Sequence, residues 1–253
     1  MGKKVKEGSL LICLLIISLL HLSFSIARPG VAKALYYPAA VQNAIDSTDV
    51  TRPVKSIYDS LQLDLAGLSR QAFDFALDGW EKLNKEGKLA NQAVIAIVDF
   101  SQPSTSKRLY VLDMKNYSLL FNTLVAHGRN SGKQRAVHFS NKFSSYKSSP
   151  GFYITGNVYN GSNGYSLRLD GIENGINDKA LKRGIVIHGA NYVHESFSAR
   201  QGYIGRSQGC RAVPLKDAKN IIDTIKHGAC LYIYTPDPRY LSRSEIVKGN
   251  LHS

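Results

Sequence analysis

At 253 residues, with 43% hydrophobic and 20% charged side chains, the chain has enough apolar material for a full core and too much for a solvated, disordered polymer. Thirty-two Lys and Arg against 19 Asp and Glu give a net charge of +13, which suits an anionic partner such as a wall polymer or a membrane surface. The cations are scattered, with no Lys/Arg block interleaved with aromatics, so no nucleic-acid partner is expected.

Lys3, Lys4 and Lys6 precede an apolar or small run from Ser9 to Leu20, and Ser25-Ile26-Ala27 closes the stretch with a small-x-small pattern. This order predicts a secretory signal peptide over residues 1–27, with a second cleavage site at Ala34, and hence an exported protein of the periplasm or cell envelope. The run is short for a membrane span and is interrupted by His21; an uncleaved signal anchor is the alternative. Residues 35–90 read as a helical N-terminal extension. Ile57, Leu61 and Leu65 form a short stripe, and Ser69 caps a longer helix whose Phe73, Ala76, Leu77, Trp80 and Leu83 share a face, ending at Gly87.

From residue 91 to 237 the pattern turns to strands. AVIAIVDF from Ala93, RLYVLDM from Arg108, SLLFNTLVA from Ser118, GFYITG from Gly151, YSLRLD from Tyr165 and GIVIHG from Gly184 all fit, with VYNGSNG as a hairpin link. Pro214 opens a helix carrying Ala218, Ile221, Ile222 and Ile225, Gly228 closes it, and a last strand follows at Cys230. Residues 238–253 read as a tail. The expected class is mainly β with covering helices.

The chemically pointed residues are Cys210 in GRSQGCRAVP and His188 in GIVIHGANY. A thiol attacks a carbonyl only as thiolate, so a catalytic Cys needs an imidazole base or nearby cations. His188 supplies the first, Arg206 and Arg211 the second. Ser207, Gln208 and Gly209 form a turn-prone approach whose amides can converge on an oxyanion. Cys13 falls within the signal, leaving Cys210 and Cys230, an even pair that also fits a disulfide in an oxidising compartment. The strand pattern ACLYIYT around Cys230 fits instead a buried free thiol.

The segment from Ser166 to Val193, followed by GRSQGCRAVP, resembles the L,D-transpeptidase catalytic domain of YkuD-type fold, and more closely its divergent murein branch. SSPGFYITG at 148–156 is similar to that family's Thr-Pro-x-Gly-x-Phe strand. The resemblance implies a β-sandwich-like catalytic fold over roughly residues 91–237, with Cys210 as nucleophile and His188 as general base. Gly189 would be the third member, through a backbone carbonyl that orients the imidazole. The spacer from Gly189 to Arg206 is slightly longer than the family's, and Gln208 replaces its usual His. The implied activity is cofactor-free acyl transfer on peptidoglycan stem peptides: transpeptidation to 3–3 cross-links with an amine acceptor, or L,D-carboxypeptidase action with water. A different cysteine amide hydrolase and a non-catalytic wall-binding protein are the rivals. Arg206, Arg183, Arg211, Arg168 and Tyr192 are candidate substrate contacts.

Other residues point elsewhere. His127, His138 and His194 have no metal-ligand spacing and read as loop or surface histidines, so no metal is expected. Asp170 and Glu173 fall in a turn-rich segment, where a solvated or turn-stabilising role is expected. Tyr153, Tyr159 and Tyr165 read as strand aromatics.

Overall fold

The computed structural model describes residues 53–248, with side chains from residue 57; the expected signal segment and the last residues of the tail lie outside these. Eight strands form one sheet: β1 (Val94–Asp99), β2 (Leu109–Asp113), β3 (Ser118–Thr123), β4 (Gly151–Gly161), β5 (Gly164–Gly171), β6 (Val186–Ala190), β7 (Arg211–Pro214) and β8 (Cys230–Tyr234). Their order is β3-β2-β1-β8-β4-β5-β6-β7, with β1/β8 and β6/β7 parallel and the other pairs antiparallel. The helices are α1 (Pro53–Ser60), α2 (Arg70–Lys85), α3 (Glu195–Gln201), α4 (Leu215–Ile225) and α5 (Pro238–Leu241). The protein is thus mainly β with covering helices. The chain leaving β3, at one end of the strand order, hydrogen-bonds along β7 at the other: the Ala126 amide donates to the Ala212 carbonyl at 2.8 Å.

The central strands are buried on both faces, because side chains alternate across a strand. Ile95, Ile97, Cys230, Tyr232 and Tyr234 face a core shared with α1, α2 and α5, in which Phe73, Ala76, Leu77 and Leu83 of α2 are buried. Ala96, Val98, Leu231 and Ile233 face a second core with Ile221, Ile222 and Ile225 of α4. No break in packing falls at residue 91, since α2 and β1 contribute to one core.

Local signals set the element ends. Ser69 Oγ accepts from the Ala72 amide at 3.2 Å and starts α2, and Gly87 adopts φ +67° just past its end. β4 and β5 form a hairpin in which Gly161 pairs with Gly164 across Ser162 and Asn163. The Ile57-Leu61-Leu65 stripe does not persist. The first helix stops at Ser60, and Gln62 at φ 49° shifts the phase, so that Leu63 is buried and Leu65 is 76% exposed. α3 was not signalled by any apolar stripe; it has no buried residue, and it is capped by the His194 ring, which accepts from the Phe197 amide at 3.0 Å.

α2 lies close to β4 only because residue 79 has no side chain: a Cβ there would overlap the Phe152 ring, itself stacked on Tyr232 at 4.2 Å. Gly79→Ala is expected to cost about 1–3 kcal/mol through overpacking, read as a lower urea midpoint; an unchanged midpoint would contradict this packing.

Candidate active site

Parallel pairing of β6 with β7 sets His188 opposite Ala212, and Cys210 lies two residues ahead of that partner, at the entry to β7. Both side chains line one cavity of about 660 Å³. The rest of the lining comes from Arg129, the 143–146 loop, the hairpin tip at Ser162 and Asn163, the 182–185 segment, Tyr192 and the 206–208 approach. Cys210 and Cys230 are both free thiols, which removes the disulfide alternative. Cys230 sits on β8 facing the α2 core, where burial pushes its thiol well above the usual range and leaves it inert.

His188 is nearly buried, and its Nδ1 lies 3.0 Å from the Gly189 carbonyl oxygen. A carbonyl only accepts, so Nδ1 carries the proton and Nε2 holds the lone pair a base needs. Among the described residues no hydrogen bond occupies Nε2. Burial lowers the imidazole below its ordinary 6.5, opposed by the bond to Gly189, so the ring is neutral near pH 7. Gly189 has a second duty. A Cβ on it would come within 2.8 Å of Leu215 Cδ1 and 2.9 Å of Ala218 Cβ, so the bare backbone lets α4 pack directly on the strand that carries the base.

The thiol is set differently from the expectation. Burial raises Cys210 above its ordinary 9.0, and this outweighs the lowering by a backbone hydrogen bond from Val186 and by Arg211 and Arg183. Sγ also lies 3.7 Å from the Gly184 carbonyl, a contact open to the protonated thiol. The resting pair is therefore thiol and neutral imidazole, an arrangement in which a reaction at the sulfur would need the imidazole to take the thiol proton.

The loop before Cys210 is built by side-chain bonds. Ser207 Oγ donates to the Cys210 carbonyl at 2.7 Å and accepts the Gly209 amide at 3.0 Å. Gly209 has φ +121°, and a Cβ there would press on Ile185 and on the Lys147 carbonyl. Its amide is therefore spent on Ser207, and the amides of Gln208 and Cys210, which carry no hydrogen bond among the described residues, are the donors left for an oxyanion. The Gln208 side chain is exposed at the cavity wall and makes no hydrogen bond there.

Two expected substrate contacts turn out to be struts. Arg211 is buried: its guanidinium donates to the Gly209 and Ser149 carbonyls and to Tyr153 Oη, so it cannot also reach into the cleft. Arg183 borders the cavity but spends its nitrogens on Ser140, Ser145, Lys147 and Ser149, tying the 140–149 loop in place. Arg168 lies over the Tyr159 ring, away from the lining. Arg206 does line the cavity, and so does Tyr192, whose ring is seated where Gly205 has no side chain.

His127, expected as a loop or surface residue, is fully buried. Its Nδ1 accepts from Arg108 Nη2 at 2.8 Å and its Nε2 donates to the Gly132 carbonyl at 3.1 Å; burial, with Arg108 second, holds its pKa down to about 3. Its backbone carbonyl accepts the Ser207 amide at 3.0 Å, so it anchors the loop before Cys210. Only a position opposite Ser207, invisible along the chain, betrays that role. Glu173, expected at a solvated turn, is also buried, accepting from the Phe152 amide at 2.7 Å and from Ser244 and Tyr240. Among the described residues no three His, Cys, Asp or Glu side chains are grouped to hold a metal ion.

A cysteine paired with a carbonyl-oriented imidazole at one cavity is the arrangement of a cysteine acyl-transfer centre. The family model for the L,D-transpeptidase catalytic domain matches residues 65–234, and the chain belongs to that family of cysteine-dependent acyl-transfer enzymes. Among solved structures the chain is similar to an L,D-transpeptidase from Mycobacterium smegmatis at 13% identity and TM-score 0.36, over 56% of this chain and 59% of that one. It is also similar to an L,D-transpeptidase from Stackebrandtia nassauensis at 16% identity and TM-score 0.35, over 73% and 77%. A third is the helical cell shape determining protein of Campylobacter jejuni, at 15% identity and TM-score 0.37, over 66% and 56%. The match to the first of these spans less than two thirds of that chain. No curated protein matches the chain.

The two shifts fix a pH dependence. His188 is base-competent above its folded pKa, which lies below 6.5, and Cys210 stays a thiol until above 9.0. Alkylation of Cys210 by a small neutral reagent is expected to rise with a midpoint below 6.5 in the wild type and above 9.0 in His188→Ala. The same alkaline midpoint in both proteins would contradict the assignment of the base.

Proposed function

We propose that the protein is an exported peptidoglycan L,D-transpeptidase that forms 3–3 cross-links through a thioester on Cys210. The observation that carries this reading is His188, its Nδ1 set 3.0 Å from the Gly189 carbonyl oxygen, sharing one cavity with the Cys210 thiol. Nε2 removes the thiol proton as sulfur attacks the carbonyl of the L-centred third residue of a stem peptide, and the amides of Cys210 and Gln208 receive the oxyanion. The imidazolium returns the proton to the departing D-alanine amine, leaving the thioester. An amine of a second stem peptide attacks it, Nε2 takes the amine's proton, and collapse releases the cross-link and restores the thiol. Export to the periplasm or cell envelope, inferred from residues 1–27, brings the enzyme to this substrate.

Purified muropeptides incubated with the wild type are expected to yield free D-alanine together with a cross-linked dimer by mass analysis. Release of D-alanine without dimer would instead establish a carboxypeptidase, and cleavage at another amide a different hydrolase. Cys210→Ala is expected to lose all product and all covalent labelling by a carbapenem. His188→Ala is expected to slow acylation by about 10²–10⁴-fold at neutral pH. A wild type that takes up no label and makes no product would favour a wall-binding role.

A further inference from the structure

The cavity wall holds Arg129, Lys182, Arg183 and Arg206 and not one Asp or Glu. Arg183 is accounted for by the loop it ties down. The other three have unspent charge. Among the described residues none of them forms an ion pair, and Lys182 makes no side-chain hydrogen bond. Nor do they serve the reacting groups: the cations that act on Cys210 are Arg211 and Arg183, and none acts on His188. Two of the three are held ready. The Arg129 guanidinium lies 4.0 Å over the Tyr146 ring, and that of Arg206 lies 5.3 Å over the Tyr203 ring while its Nη1 donates to the Arg129 and Gly132 carbonyls. A planar guanidinium fixed on an aromatic face gives up little freedom on meeting a carboxylate, which favours specific rather than diffuse attraction.

We infer that Arg129 and Lys182 form a carboxylate-reading wall, and that the acyl donor is a peptide carrying free carboxylates in addition to its reacting carbonyl. The inference rests on the acyl-transfer reading and narrows it: donors whose side-chain carboxylates are present as carboxamides are discriminated against at binding. Arg129 and Lys182, exposed at the mouth, set this preference, and Arg206 lies beside the loop before Cys210.

The test uses two synthetic tetrapeptides with an L-centred third residue and a terminal D-alanine, identical except that the side-chain carboxylates are free in one and amidated in the other. Binding of each to full-length Cys210→Ala is measured by calorimetry at low and high salt, and turnover of each by the wild type through D-alanine release. The free-acid peptide is expected to bind at least about tenfold more tightly at low salt, each lost cation weakening it about three- to tenfold, with the advantage shrinking as salt rises. Adding Arg129→Gln and Lys182→Gln to Cys210→Ala is expected to bring the two affinities together, and the amidated peptide to bind both proteins alike. Equal affinities for the two peptides on Cys210→Ala, or a preference that survives both substitutions, would overturn the inference. Failure of the wild type to release D-alanine from either peptide would strike the acyl-transfer reading instead, while the binding ratio still decides the carboxylate wall.

Discussion

The hydrogen bond from His188 Nδ1 to the carbonyl of the next residue is the constraint on which the geometry of the candidate site turns. It fixes the tautomer without a side-chain acid, so the base is held by the strand that carries it. The backbone there must also accommodate α4, whose Leu215 and Ala218 press on Gly189, and any side chain at 189 would push the strand away. Cys210, β7 and α4 are consecutive in the chain, so the helix that packs on the strand of His188 begins five residues after Cys210, the last residue before β7. One stretch of sequence therefore delivers the thiol and also clamps its partner.

Around this pair the protein commits a large amount of buried polarity to holding one loop. Ser207 bonds both flanks of the turn, His127 supports it from the chain after β3, and Arg211 and Arg183 reach from either side to carbonyls and hydroxyls of the 140–149 segment. Taking a guanidinium out of water is costly unless its donors are satisfied, and here carbonyl and hydroxyl oxygens rather than carboxylates satisfy most of them. A carboxylate partner would have neutralised the field at the sulfur. With oxygen dipoles instead, Arg211 and Arg183 still favour the thiolate, opposing part of the burial that raises the thiol.

Much of the fold was legible along the chain because the central strands follow simple alternation and the two long helices carry both an apolar face and explicit end signals at Ser69, Gly87, Pro214 and Gly228. The Ile57-Leu61-Leu65 stripe misled because a single left-handed residue, Gln62, resets the helical phase, and composition does not announce that. At the site, the placing of Cys210 and His188 at one cavity, with the Gly189 carbonyl on the imidazole, was anticipated because it is local to two short motifs. The roles of Arg183, Arg211 and His127 were not, since a charged residue beside a motif looks the same whether it faces solvent or turns inward. Its direction is decided by segments far away in sequence, here Ser140 to Ser149 for the arginines and Arg108 and Gly132 for the histidine.

The most direct test of the account is the nitrogen NMR spectrum of His188 in uniformly ¹⁵N-labelled protein at neutral pH, assigned by comparison with His188→Gln. A protonated Nδ1 and an unprotonated Nε2 are the expected signature of an imidazole held by the Gly189 carbonyl and poised to receive the thiol proton. A proton on Nε2, or an imidazolium at rest, would contradict it.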